Sequence, residues 1–495
     1  MDAVELPDDL THAADLHVVV IGGGVAGLVA ALQCAKVGLP VTIVEASDRL
    51  GGTIRAAELD GIVLDVGAEG FSTRGGHVAA LIDDLGLGGE VVRPAGGRRW
   101  VAGLPGDAAA PLPDGALVGI PPNPFTPDVR AIIGWRGAWR AYADRLRPPL
   151  TIGQERSLGR LVRSRLGDLV AERLVAPLTA GVYGADADDI DVDIAAPGLN
   201  AALTRTGSLL GAVAVLRADR DDDDPGIAGL RGGMSGLVHA LRERLERLGV
   251  RVRTGASARS VVARPGGGWS VEISGSPPEH TADAESGDPS SDDEPNLVAD
   301  AVIVATGEAE ARGLLAPLVP ELARTAAPAP VIEVVTLLLD TPALDGSSRG
   351  GVVTVSGSHA AAAVGRPSAE WEWIAQAARG RHVVRVSFGH AGAAPATEGL
   401  GDAEAIALAV REASTLLGAP FGAEALVAGH RERFVQALPG SAIGQAEAAR
   451  AARAAISGVH GLGAVGAWLA GSGLAQVVPD ALEEGGRVRR AVLWD

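Results

Sequence analysis

Three glycines near the amino terminus have the spacing of a loop that binds a phosphate group. Residues 22–27 read GGGVAG and place Gly22, Gly24 and Gly27 in the pattern G-x-G-x-x-G. In such a loop the first glycine permits a tight turn, the second lets the backbone approach a pyrophosphate, and the third lets a helix pack closely on a strand. The pattern therefore predicts a dinucleotide site at the positive end of a helix.

The residues around these glycines predict the strands and the helix that must position the loop. Residues 17–21 form a β-branched run, residues 28–37 are rich in alanine and leucine and end before Gly38, and residues 41–44 form the next strand. Glu45 follows that strand, where a carboxylate can accept hydrogen bonds from ribose hydroxyls, and an acid there disfavours the 2′-phosphate of NADP. NAD and FAD both stay open on these residues alone.

Composition and charge narrow the class of protein. The chain has 495 residues, enough for two or three domains, and its formal charge of −18 argues against a nucleic-acid surface. The single cysteine, Cys34, excludes an intramolecular disulfide and any multi-cysteine metal site, and we predict no metal.

No membrane segment is predicted. Residues 18–35 are apolar enough to be mistaken for a span, but three glycines near their start and the charged strand end that follows argue against one. The acidic amino terminus lacks the apolar stretch of a signal peptide. We therefore expect a cytoplasmic protein.

The rest of the chain divides into segments of different character. Residues 98–182 are first rich in proline and then carry tryptophan and arginine, and within them residues 157–178 predict one amphipathic helix. Residues 219–226 and 275–296 are acidic or rich in proline and serine, and they predict loops without a chemical role. Residues 331–340 and 382–388 predict strands of a sheet outside the dinucleotide-binding domain.

Four segments resemble the FAD-dependent superfamily of amine oxidases and porphyrinogen oxidases. They are ASDRLGG at 46–52, GIVLDVGAEGFSTR at 61–74, GLRGGMSGLVHALRERLERLGVRVRTGASARSVV at 229–262 and NLVADAVIVATG at 296–307. The first adds the Gly-Gly turn that passes beside the flavin diphosphate in that superfamily, and it favours FAD over NAD. The last two resemble later returns of the chain to the same domain.

Three further segments resemble the oxygen-dependent porphyrinogen oxidases of haem biosynthesis. They lie at 115–123, 157–194 and 461–474, and LVAPLTAGVYGADADDIDV at 174–192 is the most specific. The resemblance implies an α/β fold (α+β overall) with a discontinuous Rossmann-like FAD domain, a substrate domain with an antiparallel sheet, and a helical subdomain. The implied boundaries are 1–72 with 226–307 and 437–495, 73–97 with 183–225 and 308–436, and 98–182, respectively.

The resemblance also implies a reaction and its participants. FAD and O2 would oxidise coproporphyrinogen III to coproporphyrin III and release H2O2. The expected protein is a monomer or a homodimer with weak contacts to other enzymes of the haem pathway.

Site residues follow from the resemblance, position by position. The implied substrate-binding residues are Glu69, Arg74, Gly181, Val182 and His390, and no catalytic residue is assigned. The implied cofactor-binding residues are Gly22, Gly23, Gly24, Val25, Ala26, Gly27, Glu45, Ala46, Arg49, Gly51, Gly52, Thr53, Gly67, Ala68, Glu69, Gly70, Ala258, Phe434, Ser472, Gly473 and Leu474.

This sequence departs from the family pattern at three places. Phe434 stands where the family usually has tryptophan, and Gly75 stands where it often has a second basic residue. After Gly473 and Leu474 the family commonly continues with proline and a short polar turn, whereas this chain has extra residues before Pro479, which leaves the start of the helix beside the flavin open.

Other functions stay open on the sequence. Protoporphyrinogen IX is an alternative substrate, and an amine oxidase, a carotenoid-type desaturase and a non-catalytic FAD protein are alternative functions. An amine oxidase usually has a lysine near the flavin, whereas the only lysine of this chain, Lys36, lies in the first predicted helix.

Overall fold

The computed structural model describes residues 15–147, 155–218, 226–274, 296–324, 328–438 and 440–494, with only the backbone of Val182 and Tyr183. The predicted loops at 219–226 and 275–296 lie almost entirely outside these residues. The β-strands are β1 Val18–Ile21, β2 Val41–Val44, β3 Ala56–Leu59, β4 Ile62–Asp65, β5 Phe71–Ser72, β6 Val91–Val92, β7 Arg99–Leu104, β8 Ala108–Pro111, β9 Ile227–Leu230, β10 Arg251–Arg253, β11 Ser257–Ala263, β12 Trp269–Ser274, β13 Asn296–Ala299, β14 Ala301–Val304, β15 Val331–Leu339, β16 Gly351–Thr354, β17 Ala363–Gly365, β18 His382–Phe388, β19 Leu426–Val435 and β20 Leu462–Ala464.

The α-helices are α1 Val25–Ala35, α2 His77–Asp84, α3 Pro127–Tyr142, α4 Leu158–Leu166, α5 Asp168–Val170, α6 Ala176–Leu178, α7 Val192–Ala195, α8 Leu199–Thr206, α9 Leu209–Ala218, α10 Ser235–Arg247, α11 Glu308–Leu315, α12 Pro367–Glu370, α13 Glu372–Ala378, α14 Asp402–Leu417, α15 Gln445–Ser457, α16 Ala467–Ala470 and α17 Leu474–Trp494. Two π-helical turns, Ala171–Val175 and Thr179–Tyr183, adjoin α5 and α6.

A five-stranded parallel sheet forms one half of the molecule, in the order β10-β2-β1-β14-β20. Its three central strands, β2, β1 and β14, are buried on both faces, which explains their β-branched sequences. Val18 and Val20 face α1, α10 and α17, whereas Val19 and Ile21 face the three-stranded sheet β11-β12-β13 and α11. Because these strands come from separate parts of the chain, this half is discontinuous in sequence.

A seven-stranded sheet forms the other half, in the order β19-β15-β18-β17-β16-β7-β8. All of its pairs are antiparallel except β16 with β7. The predicted strands at 331–340 and 382–388 are β15 and β18, which lie side by side. α14 packs its buried face on this sheet. The mixed fold class is therefore confirmed, and the exact domain boundaries stay a prediction.

The helical segment predicted at 157–178 is not one helix. Ser157 caps α4, whose helix ends at Leu166 because Gly167 adopts a φ of 93°. A side chain at Gly167 would also meet Arg140, since an added Cβ would lie 2.7 Å from its Cγ. After this break the chain continues as α5, the first π-helical turn, α6 and the second π-helical turn. The helical spacing of the apolar residues was predicted correctly, but the break at Gly167 was not.

Within the described residues, no single helix is long and apolar enough to cross a membrane. The helices α8 and α9 meet the requirements of length and composition for a membrane span only when they are taken together, and the chain bends by 116° between them.

Candidate active site

A cavity of about 1000 Å³ lies between the two large sheets. One side is formed where the parallel strands end, at Gly24 after β1, Ala305 after β14 and Gly466 after β20. The other side is formed by the seven-stranded sheet, including Ile332 and Phe434. The carboxyl ends of parallel strands are where open α/β sheets bind ligands, so this main cavity is the candidate site.

The glycine loop has the geometry that its spacing predicts. Gly22 has a φ of 111°, and an added Cβ there would lie 2.6 Å from the carbonyl oxygen of Ala305. An added Cβ on Gly27 would lie 2.0 Å from the oxygen of Gly22, so only glycine lets α1 approach β1 this closely. Gly24 instead lines the cavity, and the nearest atom to its added Cβ is Gly52 Cα at 3.9 Å.

Three helices begin at the wall of the main cavity. They are α1 after Gly24, α11 after Gly307 and α17 at Leu474, and residues of each first turn line the space. Neither Gly24 nor Gly307 offers a side chain to cap its helix. The free backbone N–H groups and the positive helix ends suit an anion such as a diphosphate.

Glu45, which directly follows β2, stabilises the glycine loop through hydrogen bonds. Its Oε2 accepts a hydrogen bond of 2.6 Å from the Gly23 backbone N–H, and its Oε1 accepts bonds of 2.8 Å from the N–H and the hydroxyl of Ser47. The carboxylate therefore holds the glycine loop in place. Its predicted contact with a ribose stays a prediction.

A second glycine turn lies directly beside the first. Gly51 has a φ of 114° and donates its N–H to the Gly23 oxygen at 2.9 Å, while Gly52 and Thr53 line the wall. Gly67 packs against this turn so tightly that an added Cβ would lie 2.0 Å from the Thr53 oxygen. These close backbone contacts explain the glycines at both positions.

Arg55 ties the second glycine turn to strand β19 of the other sheet. Its Nε donates to the Gly52 oxygen at 2.9 Å, and its Nη1 lies 2.5 Å from Oε1 of the buried Glu432. The same guanidinium lies 5.8 Å from the ring centroid of Phe434, which lines the cavity. Arg49 also approaches Glu432, at 3.9 Å. This cluster joins the two walls.

Arg385 is a cation of the main cavity that the sequence reasoning missed. It pairs with Glu69 and donates to the backbone oxygens of Gly67 at 2.7 Å and Val66 at 3.1 Å. Its signal in the sequence was a charged residue within the β-branched run HVVRVSF. Glu69 neutralises part of the charge of Arg385, and its predicted contact with a ligand stays a prediction.

Asp65 lies under this part of the wall. Burial raises the pKa of its carboxyl to about 6, and the nearby Glu69 acts in the same direction. Oδ2 accepts a hydrogen bond of 2.8 Å from the Met234 N–H, just before α10. Asp65 thereby links the β3–β4 hairpin to a helix start.

The carboxyl-terminal segment also reaches the cavity. Ser472 and Leu474 line it, and α17 begins at Leu474 with Pro479 inside the helix. The extra residues before Pro479 therefore belong to the helix and do not delay its start. Trp468 lines the same region, with the guanidinium of Arg312 5.6 Å from its ring centroid.

The predicted site residues divide into those that line the main cavity and those that support it from outside. The lining residues are Gly24, Val25, Ala26, Gly51, Gly52, Thr53, Gly67, Ala68, Gly181, Phe434, Ser472 and Leu474. The predicted residues that do not line it are Gly22, Gly23, Gly27, Glu45, Ala46, Arg49, Glu69, Gly70, Arg74, Ala258, His390 and Gly473.

Several positions in the second group have a clear local role. Gly70 packs against β9, where an added Cβ would lie 2.7 Å from the Ala228 oxygen. Ala258 pairs with Ile273 in the three-stranded sheet. His390 Nδ1 lies 2.9 Å from the Ala391 oxygen. The side chain of Val182 lies outside the described residues.

Arg74 lines a second cavity, of about 560 Å³. Arg98 and Arg99 line it too, and Arg98 pairs with Asp114 at 3.0 Å. The helical run 168–183 separates the cavities, because Leu178 lines the second one whereas Gly181 lines the main one. The sequence reasoning identified one of these three arginines.

Residues 25–493 match the model of a family described as flavin containing amine oxidoreductase. The chain belongs to this family. A coproporphyrinogen III oxidase of Propionibacterium freudenreichii subsp. freudenreichii is 28% identical over 362 residues, covering 67% of this chain and 64% of that relative. A coproporphyrinogen III oxidase of Bacillus subtilis is 36% identical over 184 residues, covering 36% of this chain and 38% of that relative.

A solved structure shares the fold. It is a provisionally named protoporphyrinogen oxidase of Exiguobacterium sp., 22% identical, with a TM-score of 0.80 over 96% of this chain and 98% of that one. The aligned regions span 64% and 38% of the two curated relatives, which is less than two thirds of their length.

The cofactor of this flavin-containing oxidoreductase is FAD, and the main cavity fits it. Gly24 leaves open space at the start of α1, where the backbone N–H groups of Val25 and Ala26 can meet a diphosphate. The space continues from there to Phe434 and to the start of α17, so an extended dinucleotide can reach the seven-stranded sheet.

Proposed function

We propose that the chain is an oxidase that converts coproporphyrinogen III to coproporphyrin III, with FAD as cofactor and O2 as electron acceptor. The observation that carries the proposal is the main cavity, which joins a dinucleotide loop to the wall of an antiparallel sheet in one continuous space. The two curated relatives described above carry the name of this activity.

The proposed reaction balances without a further reagent. FAD supplies two-electron acceptance, so the six electrons and six protons that a porphyrinogen loses require three turnovers and three molecules of O2, which become three of H2O2. The residues of the chain must then hold the macrocycle, seat its carboxylates and exclude water.

The wall of the seven-stranded sheet suits a flat apolar ring. Ile332, Val334, Ala363 and Phe434 line this side of the cavity. Gly181 lies opposite Val353, and an added Cβ at Gly181 would come within 3.0 Å of its Cγ1. A glycine there lets this helical turn, which lines the cavity, pack closely on β16.

Charge favours the tetracarboxylate coproporphyrinogen III over the dicarboxylate protoporphyrinogen IX. Arg74, Arg98 and Arg99 line the second cavity beside the main one, and guanidinium groups bind carboxylates through two parallel hydrogen bonds. Arg385 adds a cation in the main cavity, although Glu69 partly neutralises it. A substrate with more propionates uses more of these cations.

The position of the only lysine disfavours an amine oxidase. Lys36 follows α1 and pairs with Asp84 at 3.0 Å on the outside of the parallel sheet's helix layer. It does not line the main cavity. The chain therefore offers no lysine to the flavin.

The deciding experiment compares substrates. FAD-loaded protein would be mixed in the dark with chemically reduced coproporphyrinogen III, protoporphyrinogen IX or a primary amine, and porphyrin fluorescence and peroxide would be recorded. We expect the highest kcat/KM with coproporphyrinogen III and one peroxide for each electron pair. Heat-treated protein gives the rate of spontaneous oxidation.

Three outcomes would contradict the proposal. A rate equal to that of heat-treated protein would indicate a non-catalytic FAD protein, a preference for protoporphyrinogen IX would favour the alternative substrate, and amine turnover would favour the wider family activity. We further propose a cytoplasmic monomer or homodimer with weak contacts to other enzymes of the pathway, which mass measurement and fractionation test.

A further inference from the structure

One row of residues crosses the seven-stranded sheet from the second cavity to the main one. Residues that pair directly across neighbouring strands lie on the same face of a sheet. From β7 to β19, the row consists of Arg99, Gly351, Gly365, Arg385, Thr336 and His430. Arg99 lines the second cavity and Arg385 lines the main one, so the row runs from one to the other.

Two glycines leave a trough in this row, over Gly351 and Gly365. An added Cβ at Gly365 meets no atom of the described residues within 4 Å, so the space above it is open. Above Gly351 an added Cβ would lie 3.7 Å from Glu370 Oε1 and 3.9 Å from Arg99 Cγ. At a strand spacing of about 4.8 Å, the backbones of Arg99 and Arg385 lie about 14 Å apart with the trough between them.

Each end of the trough carries a carboxylate. Glu69 pairs with Arg385 beside the main cavity and keeps 25% of its side chain exposed, whereas Glu370 ends α12 near Arg99. Burial raises the pKa of Glu370, and Glu69 raises it further, while Arg99 and Arg385 lower it. Glu370 therefore takes up a proton at a higher pH than an exposed glutamate does.

Other charged groups near Glu370 are exposed or committed elsewhere. Arg366, which precedes α12, donates to two backbone oxygens, each at 2.9 Å. Glu372, at the start of α13, is exposed. Asp65 acts on Glu69 at the other end of the trough. Glu370 thus exchanges charge only with the groups of the row and with Glu69.

Buried polar atoms beside the row suit water molecules. The Thr336 hydroxyl, directly opposite Arg385, and the Trp371 indole N–H are buried, and neither has a hydrogen-bond partner among the described residues. An added Cβ at Gly229 would lie 2.9 Å from the Trp371 ring and 3.0 Å from the Glu69 oxygen, so this indole lies close to Glu69. Buried polar groups of this kind are normally satisfied by ordered water.

We propose that Glu69 and Glu370, joined by water over Gly351 and Gly365, carry protons between the main cavity and the second cavity during the proposed oxidation. The second cavity opens to solvent, where the side chain of Asp114 is 81% exposed. This inference rests on the proposed function and adds a proton route to it. Glu370 acts through Glu69 and does not touch the substrate.

The route has a defined place in the balance of the reaction. In each turnover the porphyrinogen loses two electrons and two protons, and FAD accepts a hydride equivalent, which is both electrons with one proton. The other proton leaves a substrate N–H bond and passes through Glu69 and Glu370 to solvent. When O2 takes the electrons and becomes H2O2, one proton returns by the same route, so the overall equation is unchanged.

The test follows proton release during one turnover. FAD-loaded protein and coproporphyrinogen III would be mixed without O2 in weak buffer containing a pH indicator, while flavin absorbance records electron transfer. We expect the wild type to release one proton with each electron pair. Glu370→Gln should release that proton about 10²-fold more slowly, the lower end of the effect of a positioned proton-transfer group.

The pH profile separates a proton route from a structural role. Only an ionised carboxylate accepts a proton, so proton release in the wild type should slow as the pH falls through the raised pKa of Glu370. Glu370→Gln should lose this dependence, and Glu370→Asp should recover part of the rate. The infrared carboxyl band that separates wild type from Glu370→Gln, recorded on FAD-free protein, reports the pKa without any turnover.

The trough itself can be filled with one methyl group. Gly365→Ala should keep the melting temperature of the wild type, because its Cβ meets no described atom, and it should slow proton release by a smaller factor than Glu370→Gln. Gly346→Ala is the control, at an exposed position where an added Cβ likewise has no described neighbour within 4 Å. Glu372→Gln is the control for charge and should match the wild type.

Two results would overturn the proposal. One is proton release that keeps pace with flavin absorbance in both Glu370→Gln and Gly365→Ala as it does in the wild type. The other is an equal slowing of proton release in Glu370→Gln and Glu372→Gln. A wild type that oxidises no porphyrinogen contradicts the proposed function itself, and the substrate comparison described above detects that failure separately.

Discussion

The two cavities on either side of residues 168–183 differ in the atoms that line them. The cofactor end of the main cavity is mostly backbone, formed by glycine turns and helix starts around Gly24, Gly52 and Gly67. The second cavity instead presents the side chains of Arg74, Arg98 and Arg99. On a surface built from backbone, an added side chain either clashes with the protein or occupies the space of the ligand, whereas a side-chain surface tolerates exchange at the cost of specificity.

The largest effect is expected for Gly27→Ala. The added Cβ would lie 2.0 Å from the Gly22 oxygen, a backbone atom that cannot move without shifting β1 or α1. We expect a loss of stability of about 1–3 kcal/mol or more from this overpacking, together with loss of bound flavin. Melting temperature and flavin absorbance per polypeptide measure both.

Gly24→Ala separates cofactor contact from folding at the same loop. Its Cβ would meet only Gly52 Cα, at 3.9 Å, and would project into the cavity, so the protein should fold normally and bind FAD weakly. Gly350→Ala is the control, because an added Cβ there meets no atom within 4 Å. Normal FAD affinity in Gly24→Ala would place the diphosphate elsewhere.

The same contrast explains what the sequence could predict. The glycine loop was predicted together with its flanking strands and helix because the spacing of the glycines determines the turn. The atoms that require each glycine lie a few residues away in sequence or on the neighbouring strand. β15 and β18 were predicted from β-branched composition. Backbone requirements of this kind can be predicted because they depend on residues that are close in sequence.

The missed features depend on distant residues. Arg385 lines the cavity because β18 lies next to β15 and because Glu69 and Gly67 meet it from another part of the chain. Arg98 and Arg99 precede or begin β7 in a stretch with no pattern that distinguishes them from surface arginines. Gly167 broke a predicted helix because a glycine within an apolar period gives no sign of its φ value.

The third prediction concerns Asp65→Asn, beneath the wall of the main cavity and near Glu69 and Arg385. Burial raises the pKa of Asp65 to about 6, so the folded protein binds a proton more tightly than the unfolded chain does. Its contribution to stability is present at acid pH and is lost as pH rises through about 6. The difference corresponds to at most about 3 kcal/mol.

Asparagine cannot ionise, so Asp65→Asn should gain stability relative to wild type as the pH rises from acid to neutral. Urea unfolding of FAD-saturated protein at several pH values measures this difference. Asp48→Asn, at a side chain 91% exposed, is the control and should show no such trend. A constant difference between variant and wild type would mean that Asp65 ionises in the fold as it does in water.

The fourth prediction tests the second cavity, which is lined by side chains, through Arg74. If its guanidinium seats a propionate, Arg74→Ala should keep its FAD and lose about 1.5–3 kcal/mol in kcat/KM for the tetracarboxylate, mainly through KM. Arg74→Lys should recover only part, because an ammonium cannot form the two-point contact. Steady-state kinetics with coproporphyrinogen III measures both variants.

Arg160→Ala is the matched control, since its side chain is 63% exposed outside both cavities. Unchanged KM in both Arg74 variants would remove Arg74 from the substrate site and leave Arg98, Arg99 or Arg385 to meet the propionates. A lowered melting temperature with unchanged kinetics would assign Arg74 a structural role.

The smallest effect is expected for Glu432→Gln, which weakens the link between the two walls. Glutamine keeps an acceptor for Arg55 but loses the charge, so FAD affinity should fall by about 0.5–1.5 kcal/mol, the net worth of an ordinary hydrogen bond. His430, whose Nε2 lies 3.2 Å from Glu432 Oε2, and Arg49 lose the same partner. Flavin titration measures the affinity, and the flavin absorbance band reports any shift of Phe434, which lines the cavity.

Asp402→Asn is the matched control. Its side chain is 82% exposed and lies 3.4 Å from Arg431, so the change removes a charge beside the same strand without touching Arg55. If both variants lower FAD affinity equally, the effect is one of general charge on β19, and the link from Arg55 to Glu432 does not position the second glycine turn.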